Sequence, residues 1–294
     1  MSVRGAADPL GELEGSVLGD NLDVLRGLPD ACVDLIYIDP PFGTGRRQRL
    51  DSIRTGSGTA TRTGFGGRTY RWRTVSSHEY ADAMDPDGYL AFLGCRLLEM
   101  RRVLADEGSL YLHLDHHAVH LARLLCDDIF GRDRFLNEII WAYDYGARTK
   151  RRWPAKHDTI LVYVKDPAAY FFDSAEVDRE PYMAPGLVTP EKAARGKLPT
   201  DVWWHTIVPT NGHEKTGYPT QKPEGIVRRI VRASTRPGDW CLDCFAGSGT
   251  LGAVAAQLGR HYVLMDCNPE AVQIMRARLG EAGHTVAGAD VQAF

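Results

Sequence analysis

The stretch DWCLDCFAGSGTLG, Asp239 to Gly252, decides the fold. Trp240 to Phe245 reads as a buried strand and Thr250 to Leu258 as a helix, with a glycine turn between them. Glycines at 247, 249 and 252 let the backbone approach a ligand closely, in the Gly-x-Gly-x-x-Gly pattern of a dinucleotide-binding turn. His261 to Met265 is the next strand, and Asp266 ends it about where an acid accepts hydrogen bonds from ribose hydroxyls. Any cofactor carrying an adenosine ribose satisfies this logic, so a nicotinamide is one option and S-adenosylmethionine another.

The choice turns on VDLIYIDPPFGTG, Val33 to Gly45. Val33 to Ile38 is a strand that stops abruptly, because two consecutive prolines have no N–H to donate to a sheet ladder. Asp39, Pro40, Pro41 and Phe42 then form a stiff shelf. In an open α/β sheet, ligands bind beyond the carboxyl ends of the strands. A hydride-transfer enzyme would want His, Lys or Tyr there. This shelf offers a carboxylate, prolyl carbonyls and an aromatic plate, which suit a flat base with an exocyclic amino group.

Working outward, Ser16–Leu18 is a short strand that runs into Gly19-Asp20-Asn21, and Asn21 to Leu28 is a short helix. Asp85 to Leu104 carries apolar residues at helical spacing, and Ser109 to Leu114 is a strand. Ala118 to Phe130 is a helix with Leu121, Leu124, Leu125 and Ile129 on one side. Asn137–Tyr143 and Thr159–Val164 are strands. Pro223 suits the first turn of a helix whose buried stripe is Ile226, Val227, Ile230 and Val231. Asn268 caps a last helix, with Pro269 at its first position. Residues 43–77 read as a long loop, and 173–213, punctuated by prolines, as an irregular insert. Strands alternate with helices, which predicts a doubly wound, mostly parallel α/β sheet covered on both faces.

The chain of 294 residues is 44% hydrophobic and 25% charged, which fits a globular protein with a full core. No apolar run reaches the ~18–20 residues of a membrane helix, and the start lacks a secretory pattern. Six scattered cysteines suggest a reduced, cytoplasmic setting. Net charge is only −3, yet the 43–73 stretch holds eight arginines (Arg46, Arg47, Arg49, Arg54, Arg62, Arg68, Arg71, Arg73) against Asp51. Arg148, Lys150, Arg151, Arg152 and Lys156 form a second cluster, followed by His157. Such clusters give a nearly neutral protein a positive face for phosphate, although a solvated loop has the same composition.

Three motifs, Asp39-Pro-Pro-Phe42, Asp243-Cys-Phe-Ala-Gly-Ser-Gly-Thr250 and Tyr218-Pro-Thr-Gln-Lys-Pro223, resemble those of the amino-methylating DNA methyltransferases, which modify adenine N6 or cytosine N4. Their order is similar to the circularly permuted β class. The resemblance covers nearly the whole chain outside 43–77 and 173–213. It implies a seven-stranded Rossmann-like sheet, with residues 1–172 as the catalytic half, 173–213 as a target-recognition insert and 214–294 as the cofactor-binding half.

It further implies S-adenosylmethionine as cofactor and double-stranded DNA as partner; a homodimer and a cognate restriction endonuclease are compatible with it. By resemblance, Asp39 and the Pro40 carbonyl hold the target amino group, on a shelf that Pro41 completes, and Phe42 stacks on the flipped base. Phe245, Gly247, Gly249 and Thr250 shape the cofactor pocket, with Asp243 near its methionine end. Asp266 takes the ribose hydroxyls, Asp20 reaches the adenine, and Thr220 and Lys222 flank the methionine. Arg46, Arg47, Arg49, Arg71, Arg73, Arg148, Lys150, Arg151, Arg152 and His157 are candidate DNA contacts. Asp39 favours adenine, because Ser is commoner there in the cytosine enzymes. Many members have Tyr at position 42 and Pro at position 244, where this chain has Phe and Cys. Cytosine N4 methylation is the alternative; a nicotinamide oxidoreductase and a catalytically idle DNA-binding protein are remoter ones.

Other patterns carry blander readings. His116 and His120, one helical turn apart, hint at metal, but no matching carboxylate or thiolate cluster accompanies them, so no metal is expected. Cys241-x-x-Cys244 lies on the strand feeding the glycine turn and reads as packing. Trp203-Trp204 suits either base stacking or a small satellite core.

Overall fold

The structure is a computed structural model that describes residues 10–41, 46–63, 69–82, 86–146, 148–209, 212–218 and 220–280. In chain order the strands are β1 (Gly15–Leu18), β2 (Val33–Ile38), β3 (Arg46–Thr63), β4 (Thr69–Asp82), β5 (Leu104–Leu114), β6 (Phe135–Ala142), β7 (His157–Val164), β8 (Val202–Trp204), β9 (Trp240–Asp243) and β10 (His261–Asp266). The helices are α1 (Asn21–Gly27), α2 (Pro86–Val103), α3 (Val119–Phe130), α4 (Pro190–Arg195), α5 (Glu224–Ser234), α6 (Thr250–Gln257) and α7 (Pro269–Leu279). The chain divides into two compact units, one running to Pro40 and resuming at Leu90, the other Pro41–Tyr89. Residues 173–213 belong to the first.

The first unit is built on one sheet in the order β1-β10-β9-β2-β5-β7-β6-β8. The first five strands are mutually parallel; β7 runs antiparallel to β5 and β6, and β8 is parallel to β6. Every residue of β2 is buried, as in a strand covered on both faces. Leu35 and Tyr37 of β2 share a core with Ile226, Val227 and Ile230 of α5 and Leu251 and Val254 of α6. Ile36 and Ile38, equally buried, face the other side by strand alternation. Full burial of one such side chain is worth about 1.5–3 kcal/mol. Asp34 is the one acid in β2; its Oδ2 accepts the backbone N–H of Trp240 at 2.9 Å, so it helps dock β9 beside β2.

Several boundaries start and stop for local reasons. The Asp20 side chain caps α1 through Leu22 N at 2.7 Å, and Asn268 caps α7 through Glu270 N at 2.9 Å, with Pro269 at the first position as expected. Gly280, at φ 71°, ends α7.

The structure departs from the sequence expectations in four places. The sheet has eight strands: Val202–Trp204, within the supposedly irregular insert, pairs with β6, and that insert also holds α4. Residues 43–77 are not a loop throughout, because β3 and β4 pair as an antiparallel ribbon with Arg46 opposite Asp82, Arg49 opposite Glu79 and Arg54 opposite Arg73. Thr recurs through both arms, and β4 adds Tyr, Trp and Val, residues that favour extended backbone. In α3 the inward stripe is Val119, Ala122, Cys126, Ile129 and Phe130, while Leu121 and Leu124 are exposed. Finally, Pro223 is the extended N-cap of α5 and Glu224 its first residue; the buried stripe of Ile226, Val227, Ile230 and Val231 is as expected.

Candidate active site

The ends of β1, β10, β9 and β2 bring four acids to one edge of the sheet: Asp20, Asp266, Asp243 and Asp39. Their settings differ. Asp243 is fully enclosed, and burial pushes its carboxyl well above the usual range; the bond from Phe245 N (3.0 Å) opposes this, and Asp39 and Asp266 add to it. Burial also raises Asp266, although it is held by Gly247 N at 2.9 Å and Asn268 N at 2.8 Å. The Cys267 N–H opposes the rise as well, and the carboxylate, with about four acceptor positions, keeps capacity for a further donor. Asp20, half-exposed, pairs with Arg96 at 3.2 Å.

The glycine turn is closely fitted. Gly247 and Gly249 have φ of 50° and 71°, and Gly249 is the left-handed N-cap of α6. A Cβ on Gly247 would lie 3.0 Å from the Tyr218 ring, and one on Gly249 would lie 2.9 Å from Met275 Cγ. At both positions a side chain would collide with a neighbouring one, so the turn needs glycine for its positive φ and for its close packing. Thr250 Oγ1 donates to the Lys222 carbonyl at 3.2 Å and accepts from Arg278 Nη1 at 3.2 Å, so its hydroxyl braces the turn. Phe245 packs by Phe92, ring centroids 6.0 Å apart, and the Arg96 guanidinium covers Phe92 at 3.7 Å. Thr220 is exposed.

Asp39 ends β2, followed by buried Pro40 and half-buried Pro41; Phe42 lies outside the described residues. Its Oδ2 receives the Lys222 ammonium, and both side chains are largely enclosed. Oδ1 is buried and has no hydrogen-bond partner among the described residues. A buried carboxylate oxygen without a donor is costly, which makes Oδ1 a candidate acceptor for a ligand's N–H. Lys222, expected beside a cofactor, is thus seen on Asp39.

Behind the shelf lies a polar chain that sequence reasoning did not find. Tyr37 Oη meets His113 Nδ1 at 2.9 Å, His113 Nε2 meets Asp158 Oδ2 at 3.1 Å, and Tyr143 Oη donates to Asp158 Oδ1 at 3.0 Å. Burial pushes Asp158 upward, but the His113 bond, His113 and Lys222 charge and the Tyr143 bond outweigh it and hold the carboxyl below its ordinary range. Tyr37 is raised well above a free phenol by burial, with Asp39, Asp243 and Asp158 adding. Asn21 was missed as well: its Nδ2 donates to the Cys244 carbonyl at 2.5 Å and its Oδ1 accepts from Arg96 Nε at 2.6 Å, tying α1 and α2 to the end of β9. Neither group left a sequence signal beyond a lone polar residue beside a strand end.

Of the candidate DNA contacts, Arg46, Arg47, Arg49, Arg71 and Arg73 lie on β3 and β4. Arg148, Lys150, Arg151 and Arg152 are exposed on the connection from β6 to β7, and His157 begins β7 half-buried. On the same connection Trp153 is 94% exposed. Trp204, at the end of β8 and opposite Ala142, is 78% exposed, whereas Trp203 is buried in the main core, its indole N–H on the Thr200 carbonyl at 2.8 Å. Cys241 and Cys244 are buried thiols whose pKa burial raises. His116 precedes α3, so it does not share a helix with His120; it sits with Asp115 and His117, their ligand atoms within 4.8 Å of one another. Asp115 Oδ1 accepts from His117 N and Ala118 N at 2.9 and 3.0 Å and so shapes that turn.

Comparison with known proteins agrees with this arrangement. The family N6_N4_Mtase, described as DNA methylase, matches residues 33–277. The chain is 30% identical over 281 residues to the "DNA adenine methyltransferase YhdJ" of Escherichia coli K12, covering 93% of this chain and 85% of that protein. Among solved structures it resembles the PvuII DNA methyltransferase, described as cytosine-N4-specific, with a TM-score of 0.60 at 16% identity over 90% of this chain and 86% of that one. It also resembles M1.HpyAVI, solved as its SAM complex, with a TM-score of 0.58 at 18% identity over 91% and 99% of the two chains. With its motif order, sheet and sequence all in agreement, the chain belongs to the N6/N4 family of DNA methylases.

Proposed function

We propose that this protein transfers a methyl group from S-adenosylmethionine to the exocyclic N6 of an adenine flipped out of double-stranded DNA. The observation that carries the reading is Asp39 Oδ1, a buried acceptor with no donor among the described residues, at the sheet edge that also holds the glycine turn. The 30%-identical relative described as an adenine methyltransferase supports adenine; the cytosine-N4 neighbour, at 16% identity, shares the fold.

Gly247, Gly249 and Phe245 would cradle the cofactor, Asp266 would accept its ribose hydroxyls, and Asp20 and Asp243 would bound its two ends. When bound, S-adenosylmethionine supplies an electrophilic methyl carbon on a sulfonium. The protein's part is to make the amino nitrogen a better nucleophile, because its lone pair is delocalised into the ring. Asp39 Oδ1 and the Pro40 carbonyl accept its two hydrogens, favour a more tetrahedral nitrogen and stabilise positive charge developing there. The nitrogen forms the new N–C bond as the C–S bond breaks, the electron pair stays on sulfur, and one amino proton is released to water. The base must leave the stack first, which costs a few kcal/mol.

Unmethylated duplex DNA incubated with the pure protein and tritiated S-adenosylmethionine, then digested to nucleosides, tests this. N6-methyladenine is expected. N4-methylcytosine would move the reading to the cytosine enzymes, and no transfer to DNA would end it.

The exposed basic stretch from Arg148 to Arg152 is proposed to meet phosphate. Changing Arg148, Lys150, Arg151 and Arg152 together to alanine is expected to flatten the salt dependence of DNA binding by about 3–4 log units per log unit of salt. Calorimetric affinity for S-adenosylmethionine should stay unchanged. An unaltered salt slope would remove this stretch from the DNA interface.

A further inference from the structure

We propose that Lys222 is a positioning residue that couples the cofactor turn to Asp39, gripping the carboxylate by Oδ2 so that Oδ1 is left for the target amino group. The inference rests on the methyl-transfer reading above and assigns Lys222 to the base side of the reaction.

Three observations carry it. First, the Lys222 main chain is part of the glycine turn's frame. Its carbonyl accepts from Thr250 Oγ1 at 3.2 Å, and Arg278 ties that hydroxyl to the Ser248 carbonyl at 3.1 Å and to Glu224 Oε1 at 2.7 Å. Residues 222–224 are therefore fastened to the start of α6 and to α7. Second, the side chain leaves this frame and ends on Asp39, 183 residues away in sequence, where both partners are largely shielded from water. A lysine carries roughly 2 kcal/mol of rotamer entropy, so such a fixed ammonium needs a strong partner. Third, the ammonium lies within the field of Asp158 and Asp243 as well as Asp39, and it opposes the rise of Asp243 and helps lower Asp158. The ammonium thus lies among acids carried by three parts of the sheet: the end of β2, the start of β7 and the end of β9.

A carboxylate free to turn about its last bond offers its oxygens in many directions. Held at one oxygen by a charge-assisted bond, it offers the second in a narrow range. Misplacement of a reacting group by an ångström costs on the order of 100-fold in rate. Lys222 thus acts through Asp39, without itself touching the reacting atoms.

The test uses the full chain with Lys222→Met, Lys222→Arg, Asp39→Asn and the double change Lys222→Met with Asp39→Asn. Affinity for S-adenosylmethionine is measured by calorimetry, and the methyl-transfer rate in a single turnover with cofactor and DNA saturating. Lys222→Met is expected to bind the cofactor within about threefold of the parent and to react on the order of 100-fold more slowly. Lys222→Arg should recover most of the rate, and the double variant should be no slower than Asp39→Asn alone. Lys222→Gln repeats the measurement should the methionine variant fail to fold. The proposal is overturned if cofactor affinity falls about tenfold or more while the saturated rate holds, because Lys222 would then be a cofactor ligand. It is equally overturned if the two single losses multiply in the double variant. A parent protein that binds the cofactor yet methylates no DNA defeats the functional reading itself, and the inference with it.

Discussion

Replacing Asp39 by alanine is expected to stop methyl transfer while leaving S-adenosylmethionine bound. Asp39 follows β2, whereas the glycine turn proposed to hold the cofactor lies between β9 and α6, so the two proposed halves of the site are carried by separate elements. Removing one preorganised electrostatic group costs on the order of 10²–10³ in rate. The alanine variant also leaves the Lys222 ammonium without its Asp39 partner, at a stability cost of about 1–3 kcal/mol. Calorimetry should give a cofactor affinity within about threefold of the parent, and a single-turnover assay a rate lower by about two orders of magnitude or more. Near-normal turnover would take Asp39 out of the mechanism.

Gly249→Ala should fail at the opposite step. At φ 71° a side chain costs about 1–2 kcal/mol from backbone alone. The new Cβ would also come within 2.9 Å of Met275 Cγ and 3.4 Å of Leu264 Cδ1, adding about 1–3 kcal/mol of overpacking. Gly259→Ala is the internal control: its φ is 70°, yet nothing lies within 4 Å of its Cβ. Both variants carry the backbone cost, and only Gly249→Ala carries the crowding. At about 2–4 °C per kcal/mol for a chain of this size, its melting temperature should fall several degrees further than that of Gly259→Ala. Loss of calorimetric cofactor binding should accompany Gly249→Ala alone. Equal behaviour of the two variants would mean that the turn is not shaped for close approach.

What could be read from the sequence follows from how local its causes are. The run Val33–Ile38 before two prolines and the glycine turn after Asp243 each carry their structure in a few neighbouring residues, and both fall where expected. Asn268 announces its helix in the same way. The β3–β4 ribbon escaped because Arg46–Thr63 lacks an alternating apolar face, the signal by which strands are read. The short strand β8 escaped because three residues hold too little pattern, and it exists by pairing with β6. In α3 the leucines misled, because small and sulfur-bearing residues, Ala122 and Cys126, occupy the packed face. The site divides along the same line. Asp39 and the glycines are legible as motifs, while the Lys222–Asp39 pair and the Tyr37–His113–Asp158 chain join residues far apart, which only the folded sheet brings together.

The strand order β1-β10-β9-β2 sets when this protein can become an enzyme during synthesis. The early strands β1 and β2 flank β9 and β10, which are made much later. Until Trp240–Asp266 has left the ribosome, β1 has no neighbour and β2 is open along one edge. Long-range pairing of this kind folds slowly and exposes partly formed sheet. A stalled or shortened product therefore presents bare strand edges to other chains. The glycine turn and the ordered flank of Asp39 therefore arise together, once β9 and β10 have been made.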